Sequence, residues 1–157
     1  MVGFLVFSEA VKETKKPKEL SPLTLIDTLH KTIGKNQEAE FFCIEDCKSC
    51  YVARAGGEIT PFEGNIDLGQ DLKVYKVDKN NQVEEIEEFG RVDDKKICFR
   101  FHLYKNGSTE QMIISNNQGI YYFPTYFQEP KEVEDIGEAK ELWIQSEYNL
   151  KDSGNFY

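Results

Sequence analysis

Apolar residues recur at helical spacing in one place and alternate with polar ones in most others. Leu25, Leu29 and Ile33, with Ile26, form one stripe at helical spacing. Ser21 before it, Pro22 at the first helical position and Gly34 just past the end predict a helix over 22–33. The rest reads as strand broken by turns. Val2–Phe7 is a short apolar run ending at Ser8, and Phe41–Glu45 and Tyr51–Ala55 flank a cysteine-rich turn closed by Gly56-Gly57. Leu72–Val77 alternates, turns at Asp78-Lys79-Asn80-Asn81, and returns as Val83–Phe89 with an acidic outer face. Lys96–Tyr104, Glu110–Ser115 and Gly119–Phe127 predict a meander. After Pro130, Val133, Ile136, Leu142 or Trp143 and Ile144 fit a helix that Gly137 weakens by about 1 kcal/mol, and Leu142–Tyr148 reads equally as a last strand.

These elements predict an α+β fold, a mostly antiparallel sheet with the helix on one face. One domain is expected over 1–150 and a mobile tail over 151–157, with no repeat or linker. A chain of 157 residues with 39% hydrophobic and 13% aromatic side chains can build a core without staples. The apolar start has no basic segment before it and is too short for a signal peptide or a span. Gly3, rather than residue 2, is the first glycine, so myristoylation is not expected. Four cysteines without a secretion signal predict free thiols in a reducing cytoplasm.

Charge narrows the partners. With 28 acidic against 19 basic side chains and a net charge of −9, the surface repels a phosphate backbone at long range and favours a basic protein. The exposed loop Lys12–Lys18, with Lys12, Lys15, Lys16 and Lys18, is the local exception. In Cys98–Tyr104, alternation sends Phe99, Phe101 and Leu103 to one face and Cys98, Arg100, His102 and Tyr104 to the other. Cation, imidazole and phenol together can stack on bases and pair with phosphates, although a solvated sheet face reads the same way. Glu84, Glu85, Glu87 and Glu88 read as a solvated face or a docking surface for a basic partner.

The densest chemistry is Cys43-Ile44-Glu45-Asp46-Cys47-Lys48-Ser49-Cys50, a C-x3-C-x2-C run. It has the spacing of radical S-adenosylmethionine enzymes, but Ser49 stands where they favour an aromatic residue, and no large α/β barrel is predicted. Zinc is the better metal reading, with Cys98 or His102 as fourth ligand, although a second paired knuckle is missing. The expectation is that Cys43 packs in the core, Cys47 and Cys50 sit at the hairpin end, and no metal or cofactor is held. His30 and His102 lie beside no nucleophile motif, and no phosphate loop or calcium loop is present, so no catalytic residue is assigned.

The hairpin from Leu72 to Glu84, followed by Arg100-Phe101-His102-Leu103-Tyr104, resembles the small accessory subunit of type III-D CRISPR interference complexes. The resemblance covers about half the chain by pattern. It implies a non-catalytic, cytoplasmic subunit of an antiviral ribonucleoprotein complex, bound to larger CRISPR proteins around a guide RNA and apart from membranes. Lys12, Lys15, Lys16, Lys18, Arg100 and His102 are then the candidate RNA contacts, and Glu84, Glu85, Glu87 and Glu88 the candidate docking residues. The alternative is a small zinc-binding or thiol-dependent protein using Cys43, Cys47 and Cys50.

Overall fold

The computed structural model describes residues 22–34, 36–63, 68–106, 108–125 and 129–152. The expected strand at Val2–Phe7, the lysine loop with Lys12, Lys15, Lys16 and Lys18, and the cap Ser21 lie outside the described residues. The predicted helix is present as a 3-10 turn, Pro22–Thr24, running into α1 (Leu25–Ile33). Thr24 therefore caps the α-helical part, three residues later than the sequence signals place the start, and it gives no side-chain cap bond. Gly34 closes the helix as expected, with φ 99° and its N–H donating to His30 O at 3.0 Å, a conformation that favours glycine.

Among the described residues, ten strands form two five-stranded sheets. The first contains β1 (Ala39–Ile44), β2 (Ser49–Arg54), β3 (Ile59–Pro61), β6 (Arg91–Val92) and β7 (Lys95–Leu103), in the order β3-β2-β1-β7-β6. The second contains β4 (Lys73–Val77), β5 (Val83–Glu85), β8 (Met112–Asn116), β9 (Gly119–Phe123) and β10 (Lys131–Val133), in the order β10-β9-β8-β4-β5. All pairings are antiparallel. The fold is thus α+β and mostly sheet, as the patterning predicts. The meander is divided, however. β8 and β9 pair with each other, whereas β7 pairs with β1 and β6 in the other sheet. An isolated bridge, Leu103 to Thr109, marks where the chain crosses. Two sheets let both strand groups bury an apolar face against each other, which one flat sheet cannot do.

The shared core takes Phe41, Val52, Phe99, Phe101 and Leu103 from the first sheet, Val74, Met112, Ile114, Tyr121 and Phe123 from the second, and Leu25, Leu29 and Ile33 from α1. Phe41 meets the rings of Phe62, Phe99 and Phe101 edge-on at 5.4–6.4 Å, the arrangement favoured by ring quadrupoles. The other face of the second sheet is buried too. Val77, Ile113, Tyr122 and Val133 pack with Ala139 and Trp143 of α2 (Ile136–Asp152). Leu142–Tyr148 is therefore helix and not a last strand, and the helix takes in Lys151 and Asp152 of the expected tail. Gly137 is tolerated because it falls in the first turn. There the Asp135 carboxylate accepts the Glu138 N–H at 2.8 Å, and Glu138 reaches back to the Glu134 N–H at 3.0 Å. No helix among the described residues is long and apolar enough to cross a membrane.

Candidate functional site: a cysteine-clamped cleft between the sheets

The C-x3-C-x2-C run forms the β1–β2 hairpin end, with Cys43 directly opposite Cys50. In the turn, Glu45, Asp46 and Cys47 all have left-handed backbones, with φ of 56°, 59° and 62°. The Lys48 N–H donates to both Ile44 O and Glu45 O at 3.2 Å, closing a left-handed coil. Three consecutive non-glycine residues in this region cost about 1–2 kcal/mol each, so surrounding contacts must hold them. Lys95 supplies one such contact, its ammonium 2.9 Å from the Glu45 carboxylate, and the Ser49 hydroxyl donates to the same carboxylate at 3.3 Å. The Lys95 hydrogen bond and charge hold the Glu45 carboxyl below its ordinary range, and Glu45 in turn raises Lys95.

The stronger restraint is covalent. Cys43 is bonded to Cys50 and Cys47 to Cys98, with Cα separations of 4.0 and 5.8 Å. The expectation of free thiols is therefore overturned: no cysteine is unpaired. Alternation also misplaces Cys98. Cys43 pairs with Phe99 but Ile44 with Ile97, so Cys98 is an extra residue in a β-bulge. The bulge turns Cys98 onto the shared core with Phe99, beside Cys43, Cys47 and Cys50, and away from Arg100 and His102. It also moves Ile97 to the opposite face, where it packs with Phe42 and Ile44. With the sulfurs paired in this way, no group of three or more His, Cys, Asp or Glu side chains among the described residues is disposed to hold a metal ion.

Beside this clamp lies a cleft of about 850 Å³ between the β4–β5 edge and β7. Leu72, Ile86 and Phe89 give it an apolar lining, and Cys98 forms part of one wall. Five carboxylates, those of Glu45, Asp46, Glu85, Glu87 and Glu88, face three lysines, Lys73, Lys95 and Lys96. The predicted docking residues Glu85, Glu87 and Glu88 are thus brought together. Glu84 is not among the lining residues, and its carboxylate lies 3.9 Å from the Lys76 ammonium across the β4–β5 pair. Sequence reading missed Glu45, Asp46, Lys95 and Lys96 as part of the same site. The signal available was the fourth cysteine, whose bond to Cys47 ties the turn to β7.

Arg100 and His102 sit on the outer face of the first sheet, each beside a carboxylate. Arg100 lies 3.4 Å from Glu40 and donates to Phe89 O at 3.1 Å. His102 Nε2 is 2.9 Å from Glu38, and its ring stands 4.5 Å from that of Tyr104. His30, on α1, lines a pocket together with Tyr104. Comparisons with family models, curated proteins and solved structures find no match for the chain.

Proposed function

We propose that this chain is a non-catalytic interaction subunit whose acidic cleft receives a basic segment of a larger protein. The observation that carries this reading is the cleft between the sheets, with an apolar lining for side-chain anchors and a rim on which carboxylates outnumber lysines. Such an arrangement steers a lysine- or arginine-rich segment and fixes its register, while the apolar lining contributes affinity. The hairpin resemblance supplies the setting, a cytoplasmic CRISPR-type ribonucleoprotein. In that setting, contact with guide RNA falls to the lysine loop 12–18 and to Arg100 and His102. Glu38 and Glu40 compete for those two side chains, so the isolated chain binds RNA weakly and proteins supply most of the affinity.

The test is recovery of native complexes on wild-type protein and on a Glu85→Lys, Glu87→Lys, Glu88→Lys variant with unchanged circular dichroism. Recovery of a defined basic partner, released by salt and reduced at least tenfold by the variant, is the expected result. Equal recovery on both proteins, or isolation only as a solitary monomer with turnover on a small molecule, overturns the proposal.

A further inference from the structure

The two disulfides differ in access and in what they hold. Cys43 is fully buried, whereas Cys47 and Cys98 are both half-buried. Cys98 forms part of the cleft wall, and both Cys47 and Cys98 line a second cavity of about 690 Å³ with Asp46, Lys48, Asp71 and Leu72. The two cavities share Asp46, Leu72 and Cys98, and neither is lined by Cys43 or Cys50. A reagent entering either cavity therefore meets the Cys47–Cys98 bridge. Cys43–Cys50 joins directly opposed residues and repeats a link that the β1–β2 ladder already makes. Cys47–Cys98 spans 51 positions and ties the turn to β7. The other tie between them is the Lys95–Glu45 ion pair, with both side chains more than half exposed, and such a pair holds little in water. Glu45 and Asp46 on that turn supply the whole negative excess of the cleft. With them five carboxylates face three lysines; without them three face three.

We infer that Cys47–Cys98 is a redox modification site, opened by a dithiol reductant ahead of Cys43–Cys50, and that opening it frees the turn and removes the charge bias of the cleft. A thiolate of the dithiol attacks the Cys47 sulfur and forms a mixed disulfide there, and the Cys47–Cys98 bond breaks with its electron pair leaving on Cys98. Cys98 takes up a proton, and its sulfur already lies 3.2 Å from the Cys43 carbonyl oxygen, so the new thiol finds an acceptor in place. The second thiolate of the dithiol then attacks its own partner sulfur in the mixed disulfide. Cys47 leaves and is protonated, and the dithiol becomes a disulfide, with two electrons and two protons passed in all. Lys48 in the cavity with Cys47, and Lys95 and Lys96 in the cleft with Cys98, favour the thiolates formed on the way. In the cytoplasmic setting proposed above, protein disulfides are usually transient or redox-sensing, which suits a bridge of this kind. The effect on the cleft rests on the reading of that cleft as a site for a basic segment; the exchange itself does not.

The experiment uses the full oxidised chain, exposed to dithiothreitol, quenched with acid at intervals, alkylated and mapped by mass spectrometry. Cys47 and Cys98 should be labelled at least tenfold faster than Cys43 and Cys50, and oxidised glutathione should restore the bond. Hydrogen exchange of the two-thiol form should rise at residues 44–48 and stay unchanged in β8, β9 and α2. A fluorescent peptide of alternating lysine and leucine should bind the oxidised chain and lose at least tenfold in affinity once Cys47–Cys98 is open. Glu45→Gln together with Asp46→Asn should cause the same loss with the bond intact. Labelling of all four cysteines together, labelling of Cys43 and Cys50 first, or unchanged exchange at 44–48 overturns the inference. Equal, measurable affinity of the two forms for the peptide overturns it as well. A peptide bound by neither form counts against the cleft reading, and the labelling and exchange results then decide the redox site by themselves.

Discussion

The two sheets end in turns that are stabilised in opposite ways. In the second sheet the β8–β9 turn is held by hydrogen bonds alone, within itself and to the segment around Leu68 and Gln70. The Asn116 side chain accepts the N–H groups of Gln118 and Gly119 at 2.7 and 3.1 Å and donates to Leu68 O at 2.7 Å. At the β4–β5 turn, Asp78 likewise accepts from Asn80 and Gln82 at 2.8 and 2.9 Å. The β1–β2 turn of the first sheet has three successive residues in an unfavourable backbone region, and it is held by bonds reaching β7, including a disulfide between residues 51 positions apart. Hydrogen bonds hold the first kind of turn, so its hold does not change with redox condition. The second kind depends on sulfur, so the acidic wall it supports is the part of the molecule open to chemical control.

Four measurements sharpen this contrast. Trp143, 8% exposed beneath the second sheet, should carry the largest effect: Trp143→Ala is expected to cost about 3–5 kcal/mol in denaturant unfolding, irrespective of disulfide state. Leu29→Ala, on the α1 stripe that serves both sheets, should cost about 2–5 kcal/mol, and an unchanged melting temperature would place the stripe outside the core. Replacing Cys47 and Cys98 together by Ser, compared with oxidised wild-type protein, should cost about 2–4 kcal/mol. The change should appear in hydrogen exchange around residues 44–48 and 95–98 while leaving β8, β9 and α2 protected. Asp135→Ala removes the cap of α2 and should cost about 1 kcal/mol, read as fraying at the start of that helix alone.

A fifth effect appears only at alkaline pH. Burial pushes the Tyr121 phenol above its ordinary 10.0, and the Glu132 charge adds to this. Burial does the same for Tyr122, outweighing the opposing influence of Ser146. A raised folded-state value means that the unfolded chain ionises first. The contribution is therefore complete below pH 10 and lost as pH rises through the higher folded values. Unfolding free energy measured from pH 8 upward should fall above 10, and Tyr121→Phe should flatten that fall.

Periodicity was most informative where one face alone decides burial. The α1 stripe and the strands around Val74, Phe99 and Phe101 emerge directly from it, because a side chain's direction follows from its place in a regular backbone. The helical character of 142–148 was less legible. Its clues were Asp135 and Glu138 in capping positions and the unbroken run Met112-Ile113-Ile114, which needs cover on both faces of its sheet. Cys98 went astray because alternation fails at a bulge, and nothing local to Ile97-Cys98-Phe99 announces one.

The sequence alone determined the α+β class, the apolar faces of most strands, the place and closure of α1, and the acidic character of Glu84–Glu88, since each depends on residues close together in the chain. Only the tertiary structure decided the split into two sheets, the pairing of four cysteines, and the joining of Glu45 and Asp46 with Glu85, Glu87 and Glu88 around one cleft. Those outcomes depend on which strand meets which across tens of residues. Burial of whole apolar faces and one bulge in β7 set that choice, and no short-range pattern encodes it.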